Sequence, residues 1–259
     1  MTVQNIEIQR AQKLRCTALT LFPEMFDAIR NEGVVSRAIT AGILEIDTVQ
    51  IREFSDEYRK NVDARPVGGG DGMVLRADIA EKALLSVKTS ESYIVNVSPS
   101  GKVFNNQWAK HLCTKKHVIF LCGRYAGFDS RLAEKYADVE LSIGDFVMSG
   151  GELPAICMID AAARFVDGVL GNKISASEDS FEEGLLESPC YASPENWNGL
   201  EIPAVLLSGD HAKILKYRRM AQIKKTAKNR PDLIHKMWDS LNRAERSLAE
   251  RVWAHDKTD

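Results

Sequence analysis

The sequence is poor in the residues that hold small secreted proteins together or bind zinc. Its five cysteines are an odd number, form no C-x-x-C pair and in several cases lie in apolar runs; they are Cys16, Cys113, Cys122, Cys157 and Cys190. This usage indicates buried, reduced thiols instead of a disulfide framework. The five histidines show neither H-x-H nor H-E-x-x-H spacing, so no zinc site is expected.

A long hydrophobic run is also missing. No segment approaches the roughly 20 apolar residues of a membrane-spanning helix. The first dozen residues are too polar for the apolar core of a secretory signal. A hydrophobic fraction of 44% and a charged fraction of 27% are ordinary for a globular chain with a sizeable core. We therefore expect a soluble, cytoplasmic protein with no membrane partner.

The net charge of −2 gives no overall signal for nucleic acid, but the charges are unevenly distributed. Residues 191–259 hold 13 Lys and Arg against 9 Asp and Glu, whereas residues 1–190 hold 21 against 27. Opposite signs in the two regions favour two domains with different functions.

Short apolar runs alternate with amphipathic segments through the first two thirds of the chain. The pattern predicts strands at 16–22, 43–51, 93–97, 117–122 and 138–143, and helices from Pro23 towards Gly33, at 76–88, at 105–113 and from about Asp129. The run 43–51 alternates like an exposed or edge strand. Short strands separated by helices predict an α/β domain with a mainly parallel sheet covered on both faces.

The remainder of the chain has a different composition. Residues 171–189 are small, acidic and polar, which is typical of a linker or mobile loop. Residues 210–255 have a helical pattern throughout. The expected organisation is an α/β domain at 1–170, a flexible linker at 171–189 and a small all-helical domain at 190–259.

Three glycine-containing turns each follow a predicted strand: Ser98–Gly101, Gly123–Gly127, and Ile143–Gly144 with Ser149–Gly151. In open α/β sheets, ligands bind at the carboxyl ends of the strands. Any one of these turns alone is more simply explained as an ordinary turn that binds no ligand. None has P-loop or G-x-G-x-x-G spacing. The three together favour a backbone-lined crevice that suits a flat purine with a cation better than a phosphate.

Two charged residues near the third turn have both structural and functional interpretations. Arg164 falls near the end of a helix that would begin at Pro154, a favoured first residue. Asp160 is spaced to pair with it. Asp179 has a strong structural explanation in helix capping, because Ser175 with Glu178 and Ser180 with Glu183 both have capping-box spacing. On pattern alone the structural interpretation is favoured for both.

The segment 213–230 carries eight cations interleaved with apolar residues and contains no acid. A solvated helix face is the usual fate of a charge run, but such faces normally carry compensating acids three or four residues away. The missing compensation favours a phosphate backbone as the partner.

A series of motifs occurs in order along the chain: LTLFPEMF, PVGGGDGM, VSPSG, LCGRYAGFD, SIGDFVMSGGELPA, RFVDGVLGN, SEDSFEEGLL and VLLSGDHAKI. Together they resemble the bacterial tRNA (guanine-N1)-methyltransferases, which belong to the knotted, SPOUT-class superfamily. The resemblance runs from about residue 15 to residue 235. It implies a trefoil knot towards the end of the α/β domain, S-adenosylmethionine as cofactor, an obligate homodimer, and methylation of the guanosine immediately 3′ of the anticodon in tRNA.

The resemblance also assigns roles by position. It implies Arg164 and Asp179 as catalytic residues, and Ser180, Ser208, His211, Arg218 and Arg219 as contacts to tRNA. The cofactor-binding residues would be Ser98, Pro99, Gly123, Tyr125, Ile143, Gly144, Phe146, Met148, Gly150, Gly151 and Pro154. Two positions depart from the family pattern: Ala126 replaces an acid, which leaves Mg²⁺ open as a cofactor, and Phe146 stands where tyrosine is common.

The chemistry explains why an arginine and an aspartate would be paired in function. Guanine N1 becomes nucleophilic only when its proton is lost, and a free Asp with a pKa of about 3.9 is a weak base for it. Arg164 at guanine O6 would stabilise the displaced charge while Asp179, desolvated by linker closure, takes the proton. Two alternatives remain: a knotted methyltransferase acting on another RNA position, and a non-catalytic RNA-binding module.

Overall fold

The computed structural model describes residues 13–170 and 179–255. Contacts divide the chain into two units, Met1–Gly171 and Asn172–Asp259. Residues 171–178, which include the first part of the predicted linker and the predicted cap Ser175, lie outside the described residues.

A five-stranded parallel sheet forms the centre of the first unit, with strand order β2-β1-β6-β5-β7. Its strands are β1 Leu14–Thr20, β2 Leu44–Gln50, β5 Ser92–Val103, β6 His117–Cys122 and β7 Val139–Ser142. Two short antiparallel strands, β3 Asp63–Ala64 and β4 Val74–Leu75, pair outside this sheet. The predicted edge position of residues 43–51 is confirmed, since β2 ends the strand order.

Helices cover both faces of the sheet. They are α1 Asp27–Asn31, α2 Gly33–Thr40, α3 Ala77–Leu85, α4 Asn106–Cys113, α5 Ser130–Tyr136 and α6 Glu152–Ala163, with 3-10 turns at Pro23–Phe26 and Ile51–Phe54. Alternate residues of β6 enter two separate buried clusters: Phe120 joins residues of α2, α4 and α6, whereas Ile119 joins residues of α3 and α5. Burial on both sides explains the uninterrupted apolar run of this strand.

Two predicted boundaries in this unit are wrong. Helix α6 begins at Glu152 and not at Pro154, because the first helical hydrogen bond joins the Ala155 N–H to the Gly151 carbonyl. The predicted turn Ser98–Gly101 is a bulge inside β5: Val97 and Lys102 both pair with Leu141, and the residues between them are extra.

The second unit is built mainly from helices: α7 Ala204–Leu207, α8 His211–Asn229, α9 Pro231–Lys236 and α10 Arg243–His255, with a 3-10 turn at Trp238–Ser240. Its core contains Ile223, Ile234, Leu241 and also Leu185, a residue from the predicted linker.

The prediction of an all-helical C-terminal domain is wrong. Strand β8 Asn196–Trp197 pairs with β9 Leu200–Glu201 in an antiparallel hairpin. Asn198 and Gly199 at its tip have φ values of +53° and +83°, the backbone that an Asn-Gly dipeptide favours in a two-residue hairpin turn.

Among the residues that the structure describes, no helix is both long and apolar enough to cross a membrane.

Candidate active site

A cavity of about 1010 Å³ opens in the first unit, where β5, β6 and β7 reach their carboxyl ends. Ten of the eleven residues that the sequence suggested for a cofactor line it: Ser98, Pro99, Gly123, Tyr125, Ile143, Phe146, Met148, Gly150, Gly151 and Pro154. Gly144, the eleventh, follows the lining residue Ile143 and has a left-handed φ of +154°. The three predicted turns therefore meet around one space, as expected for the carboxyl edge of a parallel sheet.

Two of these turns are joined directly to each other. The Gly151 N–H donates to the Gly123 carbonyl at 2.8 Å, and Arg124 forms an antiparallel bridge with Gly150. Tyr125, the residue after Arg124, adopts a φ of +60° and is 58% exposed. A tyrosine in a left-handed conformation is uncommon outside functional sites.

Gly151 is required by packing within the domain, which the sequence did not reveal. A Cβ at Gly151 would lie 2.9 Å from the Cα of Cys122, a distance that real side chains do not adopt. The glycine is thus needed for the turn to pack against the end of β6, in addition to any approach of backbone to a ligand.

Glu152 is a site residue that the sequence analysis missed. Its side chain is completely buried at the first position of α6, where Oε1 accepts a hydrogen bond from the Thr20 hydroxyl at 2.8 Å. Oε2 lies 2.8 Å from Nε of Arg124. Burial raises the pKa of the neighbouring Cys122 thiol well above its usual value, and the Glu152 charge acts in the same direction. In the sequence it is an acid in the first turn of a largely apolar helix, a position where acids are ordinary, so its role could not be recognised from the sequence.

Two carboxylate residues that also line the cavity, Glu140 and Asp138, were missed as well. Glu140 accepts hydrogen bonds from the Ser100 hydroxyl at 3.0 Å and from the Asn96 amide at 3.3 Å. Asp138 also lines the cavity and accepts the Ile94 N–H at 2.7 Å. Ala126, which replaces the acid of the family motif, is exposed at the cavity, and its N–H donates to the Met73 carbonyl at 2.9 Å.

The two predicted catalytic residues belong to different units. Arg164 follows the last residue of α6 in the first unit, and its backbone N–H donates to the Asp160 carbonyl at 3.3 Å. Asp179 and Ser180 are the first described residues of the second unit. The Ser180 hydroxyl accepts the Glu187 N–H at 3.0 Å.

The remaining predicted tRNA contacts cluster around the start of α8. Ser208 donates to the Val205 carbonyl at 2.7 Å and accepts the Asp210 N–H at 3.2 Å, and Asp210 caps α8 by accepting the Lys213 N–H at 3.1 Å. His211 and Arg218 are exposed on the same helix.

The expectation that this helix lacks compensating acids is wrong. Lys213 pairs with Asp210 at 2.9 Å, and Arg219 pairs with the buried Glu245 at 2.7 Å. Both acids lie outside the segment 213–230, so inspection of that segment alone could not find them. Arg218 and Lys216 are exposed on the same stretch of α8.

Within residues 13–170 and 179–255, no three His, Cys, Asp or Glu side chains come together in a group that could hold a metal ion. The possible use of Mg²⁺ therefore stays a prediction.

Comparison with known proteins identifies the family. A family described as tRNA (guanine-1)-methyltransferase TrmD matches residues 14–236. The chain is 46% identical over 220 residues to the tRNA (guanine-N(1)-)-methyltransferase of Geobacter metallireducens, covering 84% of this chain and 90% of that protein. It is 44% identical over 219 residues to the protein of the same name from Staphylococcus carnosus, covering 84% and 89%. It is 41% identical over 239 residues to the protein of the same name from Dictyoglomus turgidum, covering 92% of this chain and 96% of that protein. The chain belongs to the tRNA (guanine-1)-methyltransferase family.

Proposed function

We propose that this chain is an enzyme that transfers a methyl group from S-adenosylmethionine to N1 of the guanosine immediately 3′ of the anticodon in tRNA, a modification that maintains the reading frame. Family membership supports the reaction type and the tRNA substrate. The observation that carries the site is the cavity at the carboxyl edge of the sheet, where the β5 bulge and the two glycine-containing turns meet.

The cavity has the size and lining that the cofactor requires. Its volume of about 1010 Å³ is at the upper end of ordinary ligand pockets. Phe146, Met148 and Pro154 offer apolar surface for a purine, and the backbone of the glycine turns offers N–H and C=O groups for its edge. Glu140 adds negative charge beside a bound cation. When bound, S-adenosylmethionine supplies an electrophilic methyl group on a sulfonium.

The chain's own residues would then prepare the acceptor. Asp179 accepts the N1 proton of guanine, and Arg164 donates hydrogen bonds to O6, where negative charge develops as the proton leaves. A tight pair between the two side chains would lower the pKa of the aspartate and weaken the base, so Arg164 contacts the substrate oxygen in the reactive complex. The target base must leave its stack to reach them.

The organisation of the protein completes the proposal. Residues 1–170 form the methyl-transfer domain, with the trefoil knot of the family, and residues 190–259 bind tRNA. Residues 171–189 connect the two, with Leu185 of this connection packed in the core of the second unit. Ser180, Ser208, His211 and Arg218 contact the tRNA. Two chains assemble as a homodimer, and light scattering of the purified protein tests this directly.

The central experiment compares Asp179→Ala and Asp179→Asn with wild type on tRNA transcripts that contain or lack the target guanosine. Loss of a general base lowers the rate by about 100-fold to 10,000-fold, while the affinity for S-adenosylmethionine stays within twofold. Asp239→Asn, an exposed acid of the same unit, is the matched control. A variant of Asp179 that retains a tenth of the activity would remove this residue as the base.

The same assay separates the alternative functions. Methylation of transcripts that lack the target guanosine would indicate another RNA position, which nucleoside analysis of the product would identify. Failure of the wild-type chain to bind S-adenosylmethionine would support a non-catalytic RNA-binding module. Rates measured with EDTA and with added Mg²⁺ test the metal requirement.

A further inference from the structure

The buried carboxylate of Glu152 connects three separate parts of the first unit. Its Oε1 accepts a hydrogen bond from the hydroxyl of Thr20, the last residue of β1. Its Oε2 lies 2.8 Å from Nε of Arg124, although the N–H does not point along the line between the two atoms, so the attraction is chiefly coulombic. An ionised carboxylate with no exposure requires such a partner, because burying it alone is very unfavourable.

Arg124 is held on several sides at once. Its Nη1 donates to the Ser149 carbonyl at 3.2 Å, its Nη2 lies 3.0 Å from the sulfur of Met25, and its guanidinium lies 4.5 Å from the centre of the Phe22 ring. The side chain is only 15% exposed. An arginine of the 123–127 turn thus bonds directly to the turn 149–151, and the LFPEMF segment packs beneath it.

The ion pair passes across Gly150. A Cβ at this position would lie 2.6 Å from Oε2 of Glu152 and closer still to Nε of Arg124, so only glycine leaves room for the pair. Gly150 lines the cavity, as do Gly123 and Tyr125, whereas neither charged side chain does. The pair therefore lies directly behind the cavity wall.

We infer that Glu152 and Arg124 are positioning residues for the cofactor: their ion pair fixes the turn of Tyr125 against the turn of Gly150 at the spacing that S-adenosylmethionine requires. The inference rests on the proposed assignment of this cavity to the cofactor. Neither residue contacts the reacting atoms. Removing either charge widens or loosens the cavity and weakens cofactor binding, while turnover at saturating cofactor is retained.

If the pair had a purely structural role, cofactor affinity would recover together with stability when both charges are replaced by apolar side chains. Replacing a buried ion pair by apolar residues of similar volume is often neutral or stabilising, whereas removing one partner is strongly destabilising. The double variant Arg124→Met with Glu152→Leu therefore restores the melting temperature that either single change lowers. If the pair positions the turns through its charges and through the hydrogen bonds of Arg124 to Ser149 and of Thr20 to Glu152, the double variant regains stability but not cofactor affinity.

The experiment measures S-adenosylmethionine binding to the full chain by calorimetry, together with melting temperature and steady-state kinetics on tRNA. We expect Glu152→Gln and Arg124→Gln each to raise Kd and KM for the cofactor at least tenfold, with kcat within about twofold of wild type. The double apolar variant should keep the raised Kd. Arg15→Gln is the matched control, since Arg15 is ion-paired with Asp47 on the first strands of the same unit and does not line the cavity.

The possible outcomes separate the positioning role from the assignment of the cavity. Wild-type affinity in the folded single variants overturns the inference, and so does an affinity that recovers in parallel with stability in the double variant. Ala126→Trp, which places a large side chain at the exposed cavity lining, tests the site itself. If this variant binds the cofactor normally, the cavity assignment fails; if it alone loses binding, only the positioning role fails.

Discussion

Nε of Arg219 donates a 2.7 Å hydrogen bond to Oε1 of Glu245, a residue that the second unit buries. The other oxygen of Glu245 accepts the Asn242 N–H at 2.9 Å, while Asn242 accepts the Glu245 N–H, so the two residues form the capping box of α10. Burial acts to raise the pKa of Glu245, but the hydrogen bonds from Arg219 and Asn242 outweigh it and the pKa is lowered. Arg219 thus joins α8 to α10.

We expect Arg219→Ala to destabilise the second unit. Loss of one partner from a buried pair leaves the other charge uncompensated, and with Arg219 33% exposed the effect should be about 2 kcal/mol, below the range for fully buried pairs. Chemical denaturation of the full chain measures it. Arg219→Lys should recover part of the loss, and a change under about 0.5 kcal/mol would show that the pair is not stabilising.

Arg218 should behave in the opposite way, because its side chain is exposed on α8. We expect Arg218→Ala to leave the melting temperature unchanged and to lower the slope of log affinity for tRNA against log salt by about 0.7–0.9, the value for one phosphate contact. Arg251→Ala, an exposed arginine on α10, is the control. An unchanged slope for Arg218→Ala would exclude this residue from the RNA-binding surface.

The bulge in β5 depends on Gly101. A Cβ there would lie 2.5 Å from the carbonyl carbon of Glu140, on the adjacent strand β7. We expect Gly101→Ala to lower the free energy of unfolding by about 3 kcal/mol, the upper end of overpacking effects, and to weaken cofactor binding because the bulge lines the cavity. Gly68→Ala, with φ +92° and nothing within 4 Å, should lose only about 1 kcal/mol through backbone strain. Equal losses for the two variants would contradict the steric explanation.

His117 should make stability depend on pH. Its Nε2 and Nδ1 each lie 2.9 Å from a hydroxyl, Thr17 and Ser92 respectively. Burial lowers its pKa and the nearby Arg15 lowers it further, against opposing effects of Asp47 and Glu45. The unfolded chain therefore takes up the proton first, and stability should be full above about pH 6.5 and fall as the pH drops below it, by up to about 1.4 kcal/mol per pH unit.

Melting temperatures between pH 7.5 and pH 5 test this expectation. His117→Gln should lower stability at pH 7.5 but flatten the profile in this window, whereas His211→Gln, at an exposed position, should keep the wild-type slope. A His117→Gln profile as steep as that of wild type would assign the pH dependence to other groups.

The sequence predicted most elements of the first unit because their burial is regular. Strand β6 is apolar throughout since both faces are buried, and β2 alternates since it lies at the edge. The hairpin at Asn198–Gly199 could also have been found from its dipeptide, but the prediction of an all-helical domain rests on residues 210–255, which do not include it.

The parts that could not be predicted depend on contacts between distant residues. The position of Glu152 in GGELPA looks like an ordinary acid in a first helical turn, and only the fold brings Thr20 and Arg124 to it. The same holds for Arg219, whose acidic partner lies on another helix. Sequence spacing reveals pairs within one helix and gives no signal for these.

The hydrogen bond between Gly151 and Gly123 closes a segment that contains both α5 and β7. Such a closure is entropically unfavourable until the intervening strand has paired with the sheet, so the cavity wall should assemble late in folding. A nascent chain whose α6 has not yet left the ribosome would contain all five strands of the sheet but could not yet bind the cofactor. Capture of the methyl donor would then report that synthesis and folding of the first unit are complete.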